Sequence, residues 1–185
     1  MARNVEIKAR VADLATLETR VRAVADSGPF EIFQDDCFFQ SPEGRLKLRD
    51  FGDGRGELIF YQRPDQSGPK HCHYQIVPTD QPDQLRLVLT LAWGEAGRVR
   101  KNRRLYLSGR TRIHLDRVEG LGEFVELEVV LANDESTARG QQEAEALVAE
   151  LGISAADLLE CAYVDMLQDG EEGQGNLGRS MRCSG

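Results

Sequence analysis

The chain has 185 residues, 41% hydrophobic and 29% charged, enough for one domain with a substantial core and unlike a disordered or membrane protein. Its formal charge of −8, from 23 basic and 31 acidic residues, argues against a nucleic-acid binder that works through its overall field. No apolar run approaches the ~18 residues of a membrane span and the N-terminus lacks the apolar core of a signal peptide, so a cytoplasmic protein without membrane contact is expected.

From Ala2 to Val11 the residues alternate, which predicts a strand with Val5 and Ile7 on one face and Asn4, Glu6, Lys8 and Arg10 on the other. Asp13 is placed to cap a helix carrying Leu14, Leu17, Val21 and Val24 at helical spacing, and Gly28 with Pro29 stops it. Strands are predicted near Glu31 to Phe39, Gly44 to Asp50, Glu57 to Arg63 and Lys70 to Val77, and the short turn-forming connections between them imply antiparallel neighbours. A second helix is predicted over Gln81 to Trp93, then strands near Arg98 to Leu107, Arg110 to Val118 and Glu123 to Leu131. After Asn133 the pattern is helical to Leu151, closed by Gly152, and Ser154 with Asp157 resembles a capping pair for a last helix through Leu158, Leu159 and Tyr163. Gln168 to Gly185 has little to bury and is expected to be disordered, giving one domain over 1–167 and a tail over 168–185. Cys37, Cys72, Cys161 and Cys183 show no close pairing and read as reduced structural thiols.

The informative feature is how charge alternates. Arg45, Lys47 and Arg49 share one strand face while Leu46 and Leu48 share the other. Arg110, Arg112, His114 and Asp116 oppose Ile113 and Leu115, and Glu126 with Glu128 opposes Val125, Leu127 and Val129. Two architectures produce this pattern: a half-buried sheet with a solvated outer face, or a barrel with a charged interior and an apolar outside covered by helices. Glu126 and Glu128, about 7 Å apart on one strand face, repel each other unless a cation or a base sits between them. Acids grouped in some strands and bases in others suit a ligand that joins a hard divalent cation to phosphates, as magnesium-bound triphosphate does.

Four segments carry a family likeness: Asn-Val-Glu-Ile-Lys at 4–8, Arg-Leu-Lys-Leu-Arg at 45–49, Tyr-Gln-Arg-Pro-Asp at 61–65 and Leu-Asp-Arg-Val-Glu-Gly-Leu-Gly-Glu-Phe-Val-Glu-Leu-Glu at 115–128. Together they resemble the CYTH, or triphosphate tunnel metalloenzyme, family from about Ala2 to Gln168. The resemblance implies an α+β fold, an antiparallel β-barrel of about eight strands forming a triphosphate tunnel with helices packed outside. It implies metal-dependent hydrolysis of an inorganic or organic triphosphate. The alternatives are a class IV-type adenylate cyclase acting on ATP and a non-catalytic nucleotide or polyphosphate binding module.

Carried over residue by residue, Glu6, Glu126 and Glu128 match catalytic metal-binding positions, and Asp116 matches the acid that supports the metal site. Lys8, Lys47, Arg49, Lys101, Arg103 and Arg112 match phosphate-binding positions, and Arg63 supplies a basic group on the middle strand. Alternation alone leaves open whether Lys101 and Arg103 or Arg98, Arg100 and Arg104 face inward, and the family spacing selects the first pair. His114 shares a face with Arg112 and Asp116, as a donor to ligand or as a partner of Asp116. The implied cofactor is Mg2+ or Mn2+, the implied ligand a small-molecule triphosphate such as tripolyphosphate, thiamine triphosphate or ATP, and the implied state a monomer or homodimer. One departure stands out: the family opens with Glu-x-Glu-x-Lys, whereas Asn4 occupies the first of those positions. With one negative charge fewer, a second cation is expected to bind weakly or not at all.

Overall fold

The structure, a computed structural model, describes residues 2–62 and 69–175. Eight strands account for its sheet: β1 (Ala2–Arg10), β2 (Ser27–Phe39), β3 (Arg45–Asp50), β4 (Gly56–Gln62), β5 (Lys70–Thr79), β6 (Glu95–Ser108), β7 (Thr111–Val118) and β8 (Gly122–Val130). They close into a barrel in the order β1-β5-β4-β3-β2-β6-β7-β8, every pairing antiparallel, with β8 returning to β1. Closure leaves no long sheet edge to be masked. Among the described residues four helices lie outside or across one end: α1 (Leu14–Val24), α2 (Pro82–Trp93), α3 (Thr137–Glu150) and α4 (Tyr163–Gly175). None of the helices among the described residues is long and apolar enough to cross a membrane.

The alternation that suggested a barrel has a direct structural reading. Val5, Ile7 and Ala9 of β1, Ile113 and Leu115 of β7, and Val125, Leu127 and Val129 of β8 point outward and are buried. There they meet Leu14, Leu17 and Val21 of α1 and Ala144 and Leu147 of α3. Each of the valine, isoleucine and leucine side chains contributes about 1.5–3 kcal/mol when fully buried, so the principal core is the layer between barrel and helices rather than the lumen. Gly140 lets α3 approach closely, because an added Cβ there would lie 2.6 Å from Leu131 and 3.1 Å from Val5. Asp13 caps α1 as expected, its carboxylate accepting from the Thr16 amide at 3.0 Å. A smaller cluster of Cys37, Phe39 and Leu48 sits under Leu85 and Leu89 of α2.

Four sequence expectations need correction. Gly28 and Pro29 do not merely stop α1, since β2 already begins at Ser27 and its ladder to β6 shifts register between Ser27 and Phe30. The shift accommodates a proline that has no N–H to donate, and Gly28, at φ 117°, has its backbone against the Leu105 carbonyl where a Cβ would sit 2.7 Å away. The last helix does not start at Ser154, which caps only a short 3-10 turn over Ala155–Asp157. The chain then straightens because, among the described residues, β5 covers β1 only through Glu6, and beyond it Leu158 bridges to Ala9 and the Leu159 amide donates to the Lys8 carbonyl at 2.9 Å. Helix resumes at Tyr163 and runs to Gly175, across residues 168–175 that composition had assigned to the tail. Finally, Cys37 and Cys72 are buried free thiols, but Cys161 is disulfide-bonded.

Candidate functional site in the barrel lumen

The inward faces of the strands enclose a cavity of about 430 Å³ lined by residues from all eight strands. Ala162 and Tyr163, at the start of α4, lie across one end of it, packed on Phe38, Val99, Val118 and Phe124. Arg45 secures this plug with two bonds to the Asp165 carboxylate at 2.7 and 2.8 Å. Glu6, Lys8, Lys47, Arg49, Lys101, Arg103, Arg112, Glu126 and Glu128 all line the one cavity. The structure therefore brings together every predicted site residue that it describes, except that Asp116 sits just behind the wall, fully buried. Arg63 lies outside the described residues.

The outward arginines of β6 resolve the open choice of face. Arg98 and Arg100 reach Asp35 at 2.7 and 3.2 Å, and Arg104 pairs with Glu18 and Glu31, all on the barrel exterior. Arg110, grouped by alternation with the inward residues of β7, instead pairs with Glu135 and Glu143 beside α3.

The basic wall is built from two matching clamps. In the first, Asp36 of β2 faces Arg49 of β3 in register and accepts from Arg49 Nε at 2.8 Å, Arg49 Nη2 at 2.9 Å and Lys47 Nζ at 2.6 Å. In the second, Asp116 of β7 faces Arg103 of β6 and accepts from Arg103 Nε at 2.7 Å, Arg103 Nη2 at 2.7 Å and Lys101 Nζ at 2.8 Å. Each clamp is a Lys-x-Arg pair on one strand held by an aspartate on the next, so burial of the cations is compensated by charge-assisted bonds. Burial alone would raise the Asp36 carboxyl, but Arg49 and Lys47 outweigh it and hold it far below the usual carboxylate range. Burial, reinforced by Arg49, pushes the Lys47 ammonium down to about 8 despite Asp36. Burial likewise lowers Lys101, with Arg103 adding to the effect.

The second clamp extends further. Arg103 Nη2 also reaches Glu126 Oε2 at 2.6 Å, and the Tyr163 hydroxyl donates to Asp116 at 3.1 Å. Burial and the Asp116 charge push that phenol well above its ordinary value, so it stays a donor. The Tyr163 ring also receives two cations, Lys8 Nζ at 3.9 Å and Lys101 Nζ at 4.9 Å from its centre.

The acidic wall stands on β8, flanked by β7 and β1. Glu126 pairs across the sheet with His114 and with Lys8, and Glu128 pairs with Arg112 and Glu6. Burial would raise the Glu126 carboxyl, but Lys8, the neighbouring His114 ring and Arg103 hold it well below its ordinary value. One ligand atom from each of His114, Glu126 and Glu128 lies within 4.8 Å of the others. Nitrogen and carboxylate oxygen are ordinary donors for a divalent metal, so these residues fit such an ion. Glu6 and Asp116, predicted alongside them, lie outside this close group: Glu6 is the register neighbour of Glu128, and Asp116 is occupied by Lys101, Arg103 and Tyr163. Asn4 is buried in the lumen and its Oδ1 has no hydrogen-bond partner.

Sequence reasoning missed Asp36 and Tyr163 and left His114 open. The signal for Asp36 was two bases, Lys47 and Arg49, facing inward with no acid assigned to balance them. Tyr163 gave no signal as a lumen residue, because its place depends on where α4 begins.

A closed antiparallel barrel with a charged lumen and a helical plug is thus the class of protein that fold and site define. The chain belongs to the CYTH domain family, whose model matches residues 2–163. It is 25% identical over 167 residues to the adenylate cyclase CyaB of Aeromonas hydrophila, covering 86% of this chain and 85% of that protein. Among solved structures, a Pyrococcus horikoshii protein superposes with a TM-score of 0.75 at 20% identity, covering 88% of this chain and 98% of the other. A Hippeastrum protein, named as a candidate adenylyl cyclase with a dominant triphosphatase activity, superposes with a TM-score of 0.66 at 17% identity, covering 90% and 96%.

Proposed function

We propose that this protein is a divalent-metal-dependent hydrolase of triphosphate-bearing small molecules, with Mg2+ or Mn2+ as its cofactor. The observation that carries the reading is the division of one enclosed cavity into a wall of two Lys-x-Arg clamps and a wall bearing Glu126, Glu128 and His114. A chain of phosphates needs several convergent cations, and a metal ion needs carboxylates. The lumen supplies both, and Arg103, bonded to Glu126, joins the second clamp to the acidic wall.

Lys47, Arg49, Lys101 and Arg103 would bind and align the phosphate chain, each arginine anchored on an aspartate so that its remaining N–H groups project from a fixed base. Arg112, 3.4 Å from Glu128, would hold phosphate oxygens beside the acidic wall. Glu126 and Glu128, with Glu6 as their neighbour on β1, would hold the ion. When bound, a divalent cation there supplies charge neutralisation of the phosphoryl oxygens and Lewis-acid activation. The plug at Tyr163 excludes bulk water from one end, which strengthens each of these interactions.

A second reading, conversion of ATP to cyclic AMP and pyrophosphate, is favoured by the name of the Aeromonas relative. The two reactions need the same grip and differ in the phosphorus attacked. Incubation of pure protein with tripolyphosphate, thiamine triphosphate and ATP under Mg2+ or Mn2+, with product separation, tests both. Orthophosphate release supports the hydrolase and cyclic AMP supports the cyclase, while absence of turnover with retained binding would leave a binding module. Glu126→Gln is expected to remove metal-dependent turnover by at least about 100-fold while preserving the fold.

A further inference from the structure

We infer that His114 is a metal ligand of this chain, so that the ion in the lumen is held by an imidazole nitrogen together with carboxylate oxygens, a donor set that favours a borderline transition ion over Mg2+. The inference rests on the metal-dependent reading above and adds a ligand that the family pattern did not supply.

His114 carries an unpaired polar atom. His114 is 4% exposed, and its Nδ1 is buried without a hydrogen-bond partner. Leaving a buried polar nitrogen unsatisfied costs about 1–3 kcal/mol, and native interiors retain few such atoms without a reason. Nδ1 lies 3.9 Å from Glu126 Oε2 and 3.7 Å from Glu128 Oε1, beyond hydrogen-bonding range for either. Those separations suit a shared ion. An ion about 2.1 Å from each donor sets neighbouring donors about 3 Å apart and opposed donors about 4.2 Å apart. Both observed distances fall in that interval.

The strand register explains why the three donors converge. His114 is the direct cross-strand partner of Glu126, and Glu128 stands two residues along the same face of β8. Arg103 already donates to Glu126 Oε2 at 2.6 Å, so an ion drawing on that oxygen competes with this bond. Arg103 keeps its two bonds to Asp116 in that event and frees one N–H toward the lumen. Metal and phosphate binding are therefore expected to assist each other.

Imidazole suits Co2+ and Zn2+, whereas an all-oxygen site suits Mg2+. The test uses the full chain and the metal salts alone. Isothermal titration is expected to show Co2+ binding the wild type at least about tenfold more tightly than Mg2+, and His114→Gln reducing that ratio to about threefold or less. An unchanged ratio in the variant overturns the inference. A second measurement needs no substitution: in a long-range 1H–15N spectrum the chain shows only three histidines, His71, His73 and His114. Saturation with diamagnetic Zn2+ should move the ring nitrogens of His114. If they stay in place while Zn2+ binds, the inference fails and the metal-dependent reading survives. If none of the three ions binds the wild type, both fail together.

Discussion

The clamp on β3 and β2 and the clamp on β6 and β7 use the same atoms in the same order, yet their surroundings differ. Lys47 and Arg49 keep 14% and 13% of their side-chain surface exposed to the lumen, whereas Lys101 and Arg103 keep 4% and 6%. The second aspartate also accepts from Tyr163, and its arginine is bound a third time by Glu126. Identical local chemistry thus serves two ends. The first clamp can hand its bases to a ligand with little disturbance, while the second is also part of the framework that joins barrel, plug and acidic wall.

That contrast can be broken by removing each anchor in turn. Asp116→Ala removes the acid shared by two buried cations, leaving Lys101 without its anchor and Arg103 with Glu126 alone, and is expected to cost about 4 kcal/mol of stability, measured by urea unfolding. Asp36→Ala exposes its cations to a wetter part of the lumen and is expected to cost about 2 kcal/mol in the same experiment. Equal losses would mean that the clamps do the same work.

Acid–base behaviour sharpens the comparison further. Lys47, pushed down to about 8 by burial and Arg49, carries its charge below that pH and loses it above. A triphosphate favours the charged form, so binding above about pH 8 must take up a proton. Affinity for tripolyphosphate, followed by calorimetry, should therefore fall as pH rises through about 8, by up to about tenfold per unit. Lys47→Arg, permanently charged, should flatten that limb. The smallest effect is expected from Tyr163→Phe, which removes the 3.1 Å bond to Asp116 but keeps the ring beneath Lys8 and Lys101. A loss near 1 kcal/mol in unfolding free energy would fit a plug fastened mainly by its ring and by Arg45.

Much of this architecture was legible in the sequence because a strand's side chains alternate. Val125, Leu127 and Val129 against Glu126 and Glu128 fixed both the strand and its two faces, and the same logic located Lys47 and Arg49. What alternation cannot supply is which strand lies beside which. Asp36 became an anchor only when register set it opposite Arg49, and the exterior partners of Arg98, Arg100 and Arg104 followed from the same ladder. The misplaced last helix has a similar origin. Ser154 carries a sound capping signal, but the stretch of β1 at Ala9 draws the following residues into extended pairing. Local preference lost to a tertiary opportunity encoded far away in the chain.

The seal that α4 makes over the barrel turns a passage into a cul-de-sac. Among the described residues Ala162 and Tyr163 cover one end, so a ligand would come and go by the other. Under the proposed hydrolysis, a spent diphosphate would delay the next arrival, and the tenacity of the clamps would set how long the wait lasts.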